Sequence, residues 1–355
     1  MSEEEITTQT TEQVRKNKKR TEAAKRRARK KIIKKTAVIS CCATLLLVLL
    51  IYGIFSLVGR ISSSNISSNT SSDDTAISLS PEVYDDDFKA KLKNALNGNS
   101  ALAMLKELYP ENIVVVSNSK YYFCDIDPDI PKNDYDIDNL VETESGEYQY
   151  VVDDQVVSKK GIDVSSHQED IDWTAVAEDG VEFAFLRAGF RGYGTGSMNE
   201  DTTFKANLEG AKAAGIDTGV YFFSQAITVE EAIEEADFVV ELLDGQTLEL
   251  PIVYDVEKVG ASDARADDLT KEERTEIGLA FMSRITELGY TPAIYHNTEM
   301  GALLIDIGQF MDYDIWFAGY NKEFYWPYRY KYWQYSDTGT VSGIDKAVDL
   351  DLMMY

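Results

Sequence analysis

From Lys160 to the end of the chain, short apolar runs of strand-like composition alternate with segments of helical spacing. Eight runs are strand candidates: Gly161–Val164, Phe183–Arg187, Thr218–Phe223, Pro251–Val256, Pro292–Tyr295, Ile315–Ala318, Tyr332–Tyr335 and Ala347–Leu350. Helical patterns separate several of the early ones, at Phe204–Ala214, Val229–Leu243 and Lys271–Leu288. This alternation predicts an α/β fold, a parallel (β/α) barrel of TIM-barrel type with its helices outside. Short loops separate the last strands, so the barrel should be irregular there.

Two carboxylates stand at the end of the fourth run, Pro251-Ile252-Val253-Tyr254-Asp255-Val256-Glu257. Strand side chains alternate between faces, so Asp255 and Glu257 should point to the same side, with Cα atoms about 6.5 to 7 Å apart. An acidic strand end that faces solvent is the alternative, but two unpaired acids in an aliphatic strand would be costly to desolvate. A glycosidase needs such a pair, because one acid protonates the leaving oxygen while the other stays ionised.

Four further motifs surround this pair in a set order. They are Gly161–Gln168 with Ile171-Asp172-Trp173, then Trp316–Tyr320, Trp333–Ser336 and Val348–Asp351. Together with Asp255-Val256-Glu257 they resemble the glycoside hydrolase family 25 lysozymes, over about residues 160 to 355. The resemblance implies a modified (β/α) barrel with fewer helices than strands. It also implies cleavage of the peptidoglycan bond between N-acetylmuramic acid and N-acetylglucosamine.

The resemblance implies roles for four acids. Glu257 is expected to be the general acid/base, and Asp255 the carboxylate that stabilises the intermediate, either by attacking the sugar or by orienting the substrate's N-acetyl group. Asp163 and Asp349 resemble the family's two further acids, which are expected to hold substrate and to keep Glu257 protonated through like-charge repulsion. Each could instead be a structural cap. A catalytically silent glycan-binding or structural envelope protein is the alternative for the whole barrel, although the intact acids favour an enzyme.

Aromatic residues in or just after the candidate strands could stack on sugar rings, although core packing is the usual role of any one of them. The candidates for substrate binding are Tyr221, Tyr295, Trp316, Tyr320 and Trp333. A further aromatic run, 324–330, carries many polar edges and is expected to form a loop at the rim of the groove.

The charge of the chain is divided unevenly. Residues 1–35 hold thirteen Lys or Arg and five Glu, whereas the whole chain has a net charge of -26. An uncharged apolar run follows the basic block, and residues 37–59 are therefore predicted to form a transmembrane helix that contacts the lipid bilayer. The positive-inside rule predicts a cytoplasmic tail at 1–36 and an extracellular C-terminal part. A cleaved signal peptide is the competing interpretation. The position of the basic block beside the predicted membrane segment explains its charge, so we expect no nucleic-acid partner.

Between the predicted membrane segment and the barrel, which is assigned to 159–355, lie two further parts. Residues 60–80 are rich in Ser and Asn and should be a flexible linker. Residues 81–158 are predicted to form a small α+β spacer, with two helical segments followed by a hairpin around Ser117-Asn118-Ser119. A wall-binding or partner-binding module is the alternative. Only His167 and His296 occur in the chain, so we expect no metal, no other cofactor and no Ser-His-Asp triad.

Overall fold

A computed structural model describes residues 86–96, 101–320 and 324–355. The described residues belong to a single compact unit. The predicted tail, transmembrane helix and linker at 1–36, 37–59 and 60–80 lie outside them. Among the described residues, no helix combines the length and the apolar character needed to cross a bilayer.

The N-terminal part of this unit contains two α-helices, a 3-10 helix (Ile137–Asn139) and five short strands. The α-helices and strands are α1 (Asp86–Leu96), α2 (Ala101–Leu108), β1 (Asn112–Ser117), β2 (Lys120–Asp125), β3 (Leu140–Glu142), β4 (Tyr148–Val152) and β5 (Gln155–Val156). The predicted hairpin is confirmed: β1 and β2 pair antiparallel, with Ser117 opposite Lys120. Its two turn residues, Asn118 and Ser119, both have positive φ, as a two-residue hairpin turn of type I′ requires.

The barrel elements follow in chain order. They are β6 (Ser158–Val164), α3 (Trp173–Glu178), β7 (Phe183–Arg191), β8 (Met198–Glu200), α4 (Phe204–Ala213), β9 (Asp217–Ser224), α5 (Val229–Leu243), β10 (Ile252–Val256), α6 (Lys271–Glu287), β11 (Pro292–Asn297), β12 (Asp314–Ala318), β13 (Tyr332–Gly339) and β14 (Val348–Met354). All eight predicted strands are present, and they close a barrel in the order β6-β14-β13-β12-β11-β10-β9-β7, with β7 pairing back to β6. Strand β8 is added to the edge of β7.

The prediction of an all-parallel barrel is wrong for the last strand. β14 runs antiparallel to both of its neighbours, β13 and β6. Only residues 340–347 connect β13 to β14, and a parallel pair needs a crossover of about a dozen residues or more. The predicted irregularity near the end of the barrel is confirmed, because the β13–β14 register shifts at two places.

Two apolar cores lie on the two faces of the barrel sheet. On β7, Phe183 and Phe185 belong to a compact inner core, whereas Ala184 and Leu186 belong to the larger core between the sheet and its outer covering. This alternation follows from the two-residue period of strand side chains. At position 161 the inner core has room for Gly alone, because a Cβ there would lie 2.1 Å from the Phe183 ring.

One sector of the barrel wall has no long covering helix. A π-helix (Met300–Leu304) and a 3-10 helix (Ile307–Phe310) connect β11 to β12, and the described part of the β12–β13 connection is largely non-helical. The expectation that residues 324–330 rim the groove is wrong, because Trp326, Tyr328 and Tyr330 are buried against the outer side of the barrel. Their aromatic rings fill the layer that a helix would otherwise occupy.

The N-terminal part covers this sector. Tyr148 stacks on Trp333 with ring centroids 5.8 Å apart, and the Tyr135 hydroxyl donates to the Tyr330 carbonyl at 2.6 Å. The Tyr328 hydroxyl in turn accepts from the backbone N–H of Asp127 at 2.9 Å. Residues 109–158 therefore supply part of the outer layer of the barrel.

Candidate active site

The four acids predicted to be catalytic line one cavity of about 380 Å³ at the mouth of the barrel. Asp163 lies near the C-terminal end of β6, Asp255 lies in β10, and Glu257 follows the end of β10. Asp349 is the second residue of β14, and it is the direct cross-strand partner of Asp163. Because β14 is antiparallel, its beginning lies at the same end of the barrel as the ends of the parallel strands.

The alternation of side chains along β10 determines what faces the cavity. Asp255 and Glu257 both line it, while Val256 between them belongs to the outer core. The predicted same-side placement of the two acids is therefore observed. One carboxylate oxygen of Asp255, Oδ1, is buried and has no hydrogen-bond partner within the described residues. An oxygen of this kind is available to a reacting group in the cavity.

Burial raises the pKa of both acids. For Asp255 the pKa is well above its ordinary value because of burial and the nearby Glu257, while the positive charge of Arg187 opposes the rise. For Glu257 the pKa is raised by burial and by the negative charge of Asp349. Since desolvation and like charges both disfavour a second negative charge, the pair retains a proton at pH values where an exposed pair would be fully ionised.

The pKa values of Asp349 and Asp163 are also raised. Burial, with a contribution from Asp337, raises the pKa of Asp349 to about 6. Burial followed by the charges of Asp349 and Asp351 raises the pKa of Asp163 well above its ordinary range. Asp351 is itself fully buried, and one of its oxygens accepts from Trp316 Nε1 at 2.8 Å. The mouth of the barrel thus concentrates carboxyl groups that cannot all ionise together.

Replacing Asp349 by Asn is expected to shift the alkaline limb of the pH–activity profile to lower pH. The negative charge of Asp349 helps to raise the pKa of Glu257, so its removal lets Glu257 lose its proton earlier as pH rises. The measurement is kcat/KM against pH for the wild type and the Asp349→Asn variant. Asp345→Asn removes an equal charge from an exposed position in the connection just before β14 and should leave the limb in place. An unmoved limb in Asp349→Asn would contradict the coupling.

Gln334 is a site residue that sequence reasoning missed. It is buried, and its Nε2 donates to Asp163 Oδ2 at 2.6 Å. Its Oε1 accepts from the hydroxyls of Tyr295 and Tyr320, each at 2.9 Å. Because an amide nitrogen can only donate, Gln334 holds Asp163 as a hydrogen-bond acceptor and connects it to two aromatic side chains of the cavity.

Four of the five aromatic candidates line the cavity, and one does not. Tyr221, Tyr295, Trp316 and Tyr320 are part of its wall. Trp333 lies on the opposite face of β13, where its Nε1 donates to the Gly319 carbonyl at 2.8 Å. Since successive strand residues face opposite sides, inward placement of Gln334 requires outward placement of Trp333. The structure therefore gives Trp333 a packing role in the outer core, away from the cavity.

The rest of the cavity wall is mostly polar and includes the positively charged side chain of Arg187. Arg187 lies on β7, and its guanidinium pairs with Asp201 at 2.7 Å. The further lining residues that were not predicted as site residues are Ser165, His167, Gln168, Phe223, Asp337 and Ala347. The sequence did contain a signal for Arg187, which stands at the end of an otherwise apolar strand. Burying a charged side chain there costs free energy unless the side chain faces a polar site.

The described residues include no cluster of three or more His, Cys, Asp or Glu side chains arranged to hold a metal ion. What the cavity does offer is a buried carboxyl pair that retains a proton, an unpartnered carboxylate oxygen and flanking aromatic rings. Such an arrangement can donate a proton to a leaving oxygen and stabilise positive charge on a sugar ring. The arrangement is therefore suited to acid-assisted cleavage of a glycosidic bond.

The sequence pattern of glycosyl hydrolases family 25 matches residues 162–344. The chain is 28% identical over 194 residues to an autolytic lysozyme of Clostridium acetobutylicum, covering 54% of this chain and 55% of the relative. It is 30% identical over 204 residues to lysozyme M1 of Streptomyces globisporus, covering 54% of this chain and 66% of the relative. The chain thus spans about half of the first relative's length and about two thirds of the second's.

Among solved structures, the modular autolysin LytC of Streptococcus pneumoniae superimposes with a TM-score of 0.51 and 22% sequence identity. The match covers 67% of this chain and 57% of LytC. At this level of identity the likeness supports a shared fold.

Proposed function

Because the chain belongs to glycosyl hydrolases family 25, we propose that it hydrolyses peptidoglycan by cutting the β-1,4 bond between N-acetylmuramic acid and N-acetylglucosamine. The observation that carries this proposal is the convergence of Asp255 and Glu257 on one cavity at the mouth of the barrel, where burial and neighbouring negative charges raise the pKa of both acids. The lysozyme names of the two relatives support the same substrate class.

In the proposed mechanism Glu257 is the general acid/base and Asp255 stabilises the positive charge that develops on the sugar. Burial raises the pKa of Asp255, and Arg187 is the group that offsets this rise, because its positive charge favours the ionised form of Asp255. The negative charge of Asp349 favours the protonated form of Glu257. We propose that Asp163, which accepts a hydrogen bond from Gln334, binds substrate hydroxyl or acetamide groups. Tyr221, Tyr295, Trp316 and Tyr320 are proposed to contact the sugar rings.

Product analysis tests the reaction directly. Residues 81–355 are incubated with purified peptidoglycan, and the new reducing ends are identified after reduction. The proposal expects N-acetylmuramic acid at the new reducing ends. N-acetylglucosamine there would refute the assigned bond, and binding without new reducing ends would favour the silent glycan-binding alternative.

We further propose that residues 37–59 anchor the chain in the cell membrane, with 1–36 cytoplasmic and the barrel outside. The thirteen Lys or Arg of residues 1–35 motivate this topology, because transfer of such a block across a membrane is disfavoured. Protease added to cells with a permeable outer wall should digest the barrel and leave a fragment that ends near Arg60. A cytoplasmic marker protein that stays intact is the control. Recovery of soluble protein that begins near Ser62 would show cleavage and overturn the anchor.

A further inference from the structure

One inward-facing acid of the barrel is not part of the cavity wall. Asp351 stands two residues after Asp349 on β14, so strand alternation places both side chains on the inner face of the sheet. Asp349 lines the cavity, whereas Asp351 does not line it and is fully buried. Met353, the next inward residue of β14, belongs to the inner core. Asp351 therefore lies between the cavity and the apolar interior of the barrel.

The Asp351 carboxyl has a donor at one oxygen and none at the other. Oδ1 accepts from Trp316 Nε1 at 2.8 Å. Oδ2 is buried, and no donor among the described residues reaches it. The titratable groups that interact with Asp351 are Asp163 on β6, Asp349 on β14 and Tyr335 on β13, and none of these is a cation. An ionised Asp351 would thus be a buried charge without a positive partner, which is strongly unfavourable.

A proton on Asp351 removes this conflict. The carboxyl groups of Asp351 and Asp163 lie within hydrogen-bonding reach of each other. Two ionised carboxylates can only accept, so a hydrogen bond between them requires that one is protonated. Asp163 lines the cavity and accepts from Gln334 Nε2 at 2.6 Å, and both features favour its ionised form. The shared proton therefore resides on Asp351.

Burial raises the pKa of Asp351 well above its ordinary range, although the hydrogen bond from Trp316 opposes the rise. The direction agrees with the hydrogen-bond pattern, in which Oδ1 is an acceptor and Oδ2 has no donor. A carboxylic acid has one O–H donor and keeps acceptor capacity on its other oxygen. The protonated form of Asp351 thus satisfies both of its oxygens.

We propose that Asp351 is a protonated carboxylic acid that positions Asp163 and Trp316 for substrate binding; this inference rests on the proposed function. Its O–H donates to Asp163 from below the cavity, while its Oδ1 accepts from the indole of Trp316. Asp163 and Trp316 both line the cavity, whereas Asp351 contacts neither substrate nor reacting atoms. Asp351 is therefore a positioning residue and not a catalytic one.

The two positioned groups need this support for different reasons. The Trp316 ring stacks on Phe185 at 4.5 Å and meets Tyr295 edge-on at 4.7 Å between ring centroids. These apolar contacts restrict the ring, and the bond to Asp351 determines which edge of the indole faces the interior. For Asp163, donors on Gln334 and Asp351 occupy the inner acceptor positions of the carboxylate. Its remaining acceptor capacity is then directed to a ligand in the cavity.

The test compares two replacements of Asp351 in the full-length chain. An amide can accept from Trp316 and donate to Asp163, so Asp351→Asn should keep kcat/KM within about twofold of the wild type. The pH profile should also be unchanged, whereas the matched variant Asp349→Asn, two residues away on the same face, shifts its alkaline limb. Asp351→Leu can neither accept nor donate, and it is expected to raise KM about tenfold with a smaller change in kcat.

Each outcome decides the proposal. A loss of tenfold or more in Asp351→Asn, or a failure of that variant to fold, would show that the ionised acid is required and overturn the inference. A wild-type KM in Asp351→Leu would remove the positioning role. If Asp351→Leu does not fold, Asp351→Ser takes its place with the same expected rise in KM, because its short hydroxyl leaves space that water can fill.

An infrared measurement separates this inference from the proposed hydrolysis. The difference spectrum between the wild type and Asp351→Asn at neutral pH should contain the C=O stretch of a protonated carboxyl group in the wild type alone. This band does not depend on turnover, so it decides the protonation of Asp351 even if the wild type cleaves nothing, in which case glycan affinity replaces KM. A difference spectrum that shows only the loss of an ionised carboxylate would overturn the proposal.

Discussion

Replacing Glu257 by Gln is expected to abolish measurable peptidoglycan hydrolysis while the protein remains folded. The amide keeps the size and polarity of the side chain, but it has no proton to give to the leaving oxygen. General acid catalysis typically contributes about 10² to 10⁴ in rate, so the loss should be at least of that order. Clearing of a cell-wall suspension and the release of reducing ends are the measurements.

Stability measurements distinguish this loss of chemistry from a loss of fold. In the folded chain the pKa of Glu257 is raised, so the wild type loses stability as pH rises from the ordinary carboxyl range toward that raised value. Glu257→Gln removes this loss, and its Tm should equal or exceed that of the wild type at neutral pH. Below about pH 4 the acid is protonated in both folded and unfolded states, so the Tm advantage should disappear.

Two further variants test the second catalytic carboxylate and provide a control. Asp255→Asn should also cost most of the activity, because an amide cannot stabilise a positive sugar as a carboxylate does. Glu276→Gln changes an exposed glutamate of α6 in the same way and should retain wild-type activity. Near-wild-type hydrolysis by a folded Glu257→Gln protein would remove Glu257 from its assigned role, and full activity of Asp255→Asn would exclude the two-carboxylate mechanism.

A chain shortened to residues 159–355 is expected to be unstable or insoluble, even though it contains all of the barrel sheet except Ser158. The shortened chain would expose aromatic rings that now contact residues 109–158, among them Tyr328, Tyr330, Trp333 and Tyr335. Uncovering about 100 Å² on each of these four rings costs roughly 10 kcal/mol at about 25 cal/mol per Å². That loss is comparable to the entire stability of a typical domain.

The comparison is between purified 81–355 and 159–355, expressed and examined under the same conditions. Soluble yield, near-ultraviolet circular dichroism and Tm are the measurements, because they report the fixed packing of aromatic side chains. Tyr148→Ala in 81–355 removes only the ring that stacks on Trp333 and should lower Tm without preventing folding. A soluble 159–355 with the Tm of 81–355 would show that the N-terminal part is a separable spacer after all.

Much of the barrel could be predicted because local patterns decide it. The helix Val229–Leu243 and all eight strands appear where apolar periodicity places them. The pairing of Asp255 with Glu257 on one face needs only the two-residue period of a strand and the high cost of burying an unpaired charge. These features depend on neighbours in sequence, which a single sequence contains in full.

The direction of β14 and the assignment of faces on β13 depend on neighbours in space. The short 340–347 connection permits an antiparallel return, and only closure of the barrel against β6 brings Asp349 opposite Asp163. A strand pattern shows that Trp333 and Gln334 face opposite sides, but it cannot say which side is the interior when both side chains are large. On the outer side of β13 the Tyr148 ring offers a stacking partner, and Trp333 is the residue that occupies this position.

The sequence by itself therefore determined the class of fold, the acid pair and the chemistry that such a pair performs. Only the tertiary structure decided that Gln334 and Arg187 complete the site, that the aromatic run 324–330 is core, and that residues 109–158 cover a sector without long helices. The physical reason is that periodicity and desolvation act along a few consecutive residues, whereas burial and hydrogen bonding are settled by surfaces that meet only when distant segments pack together.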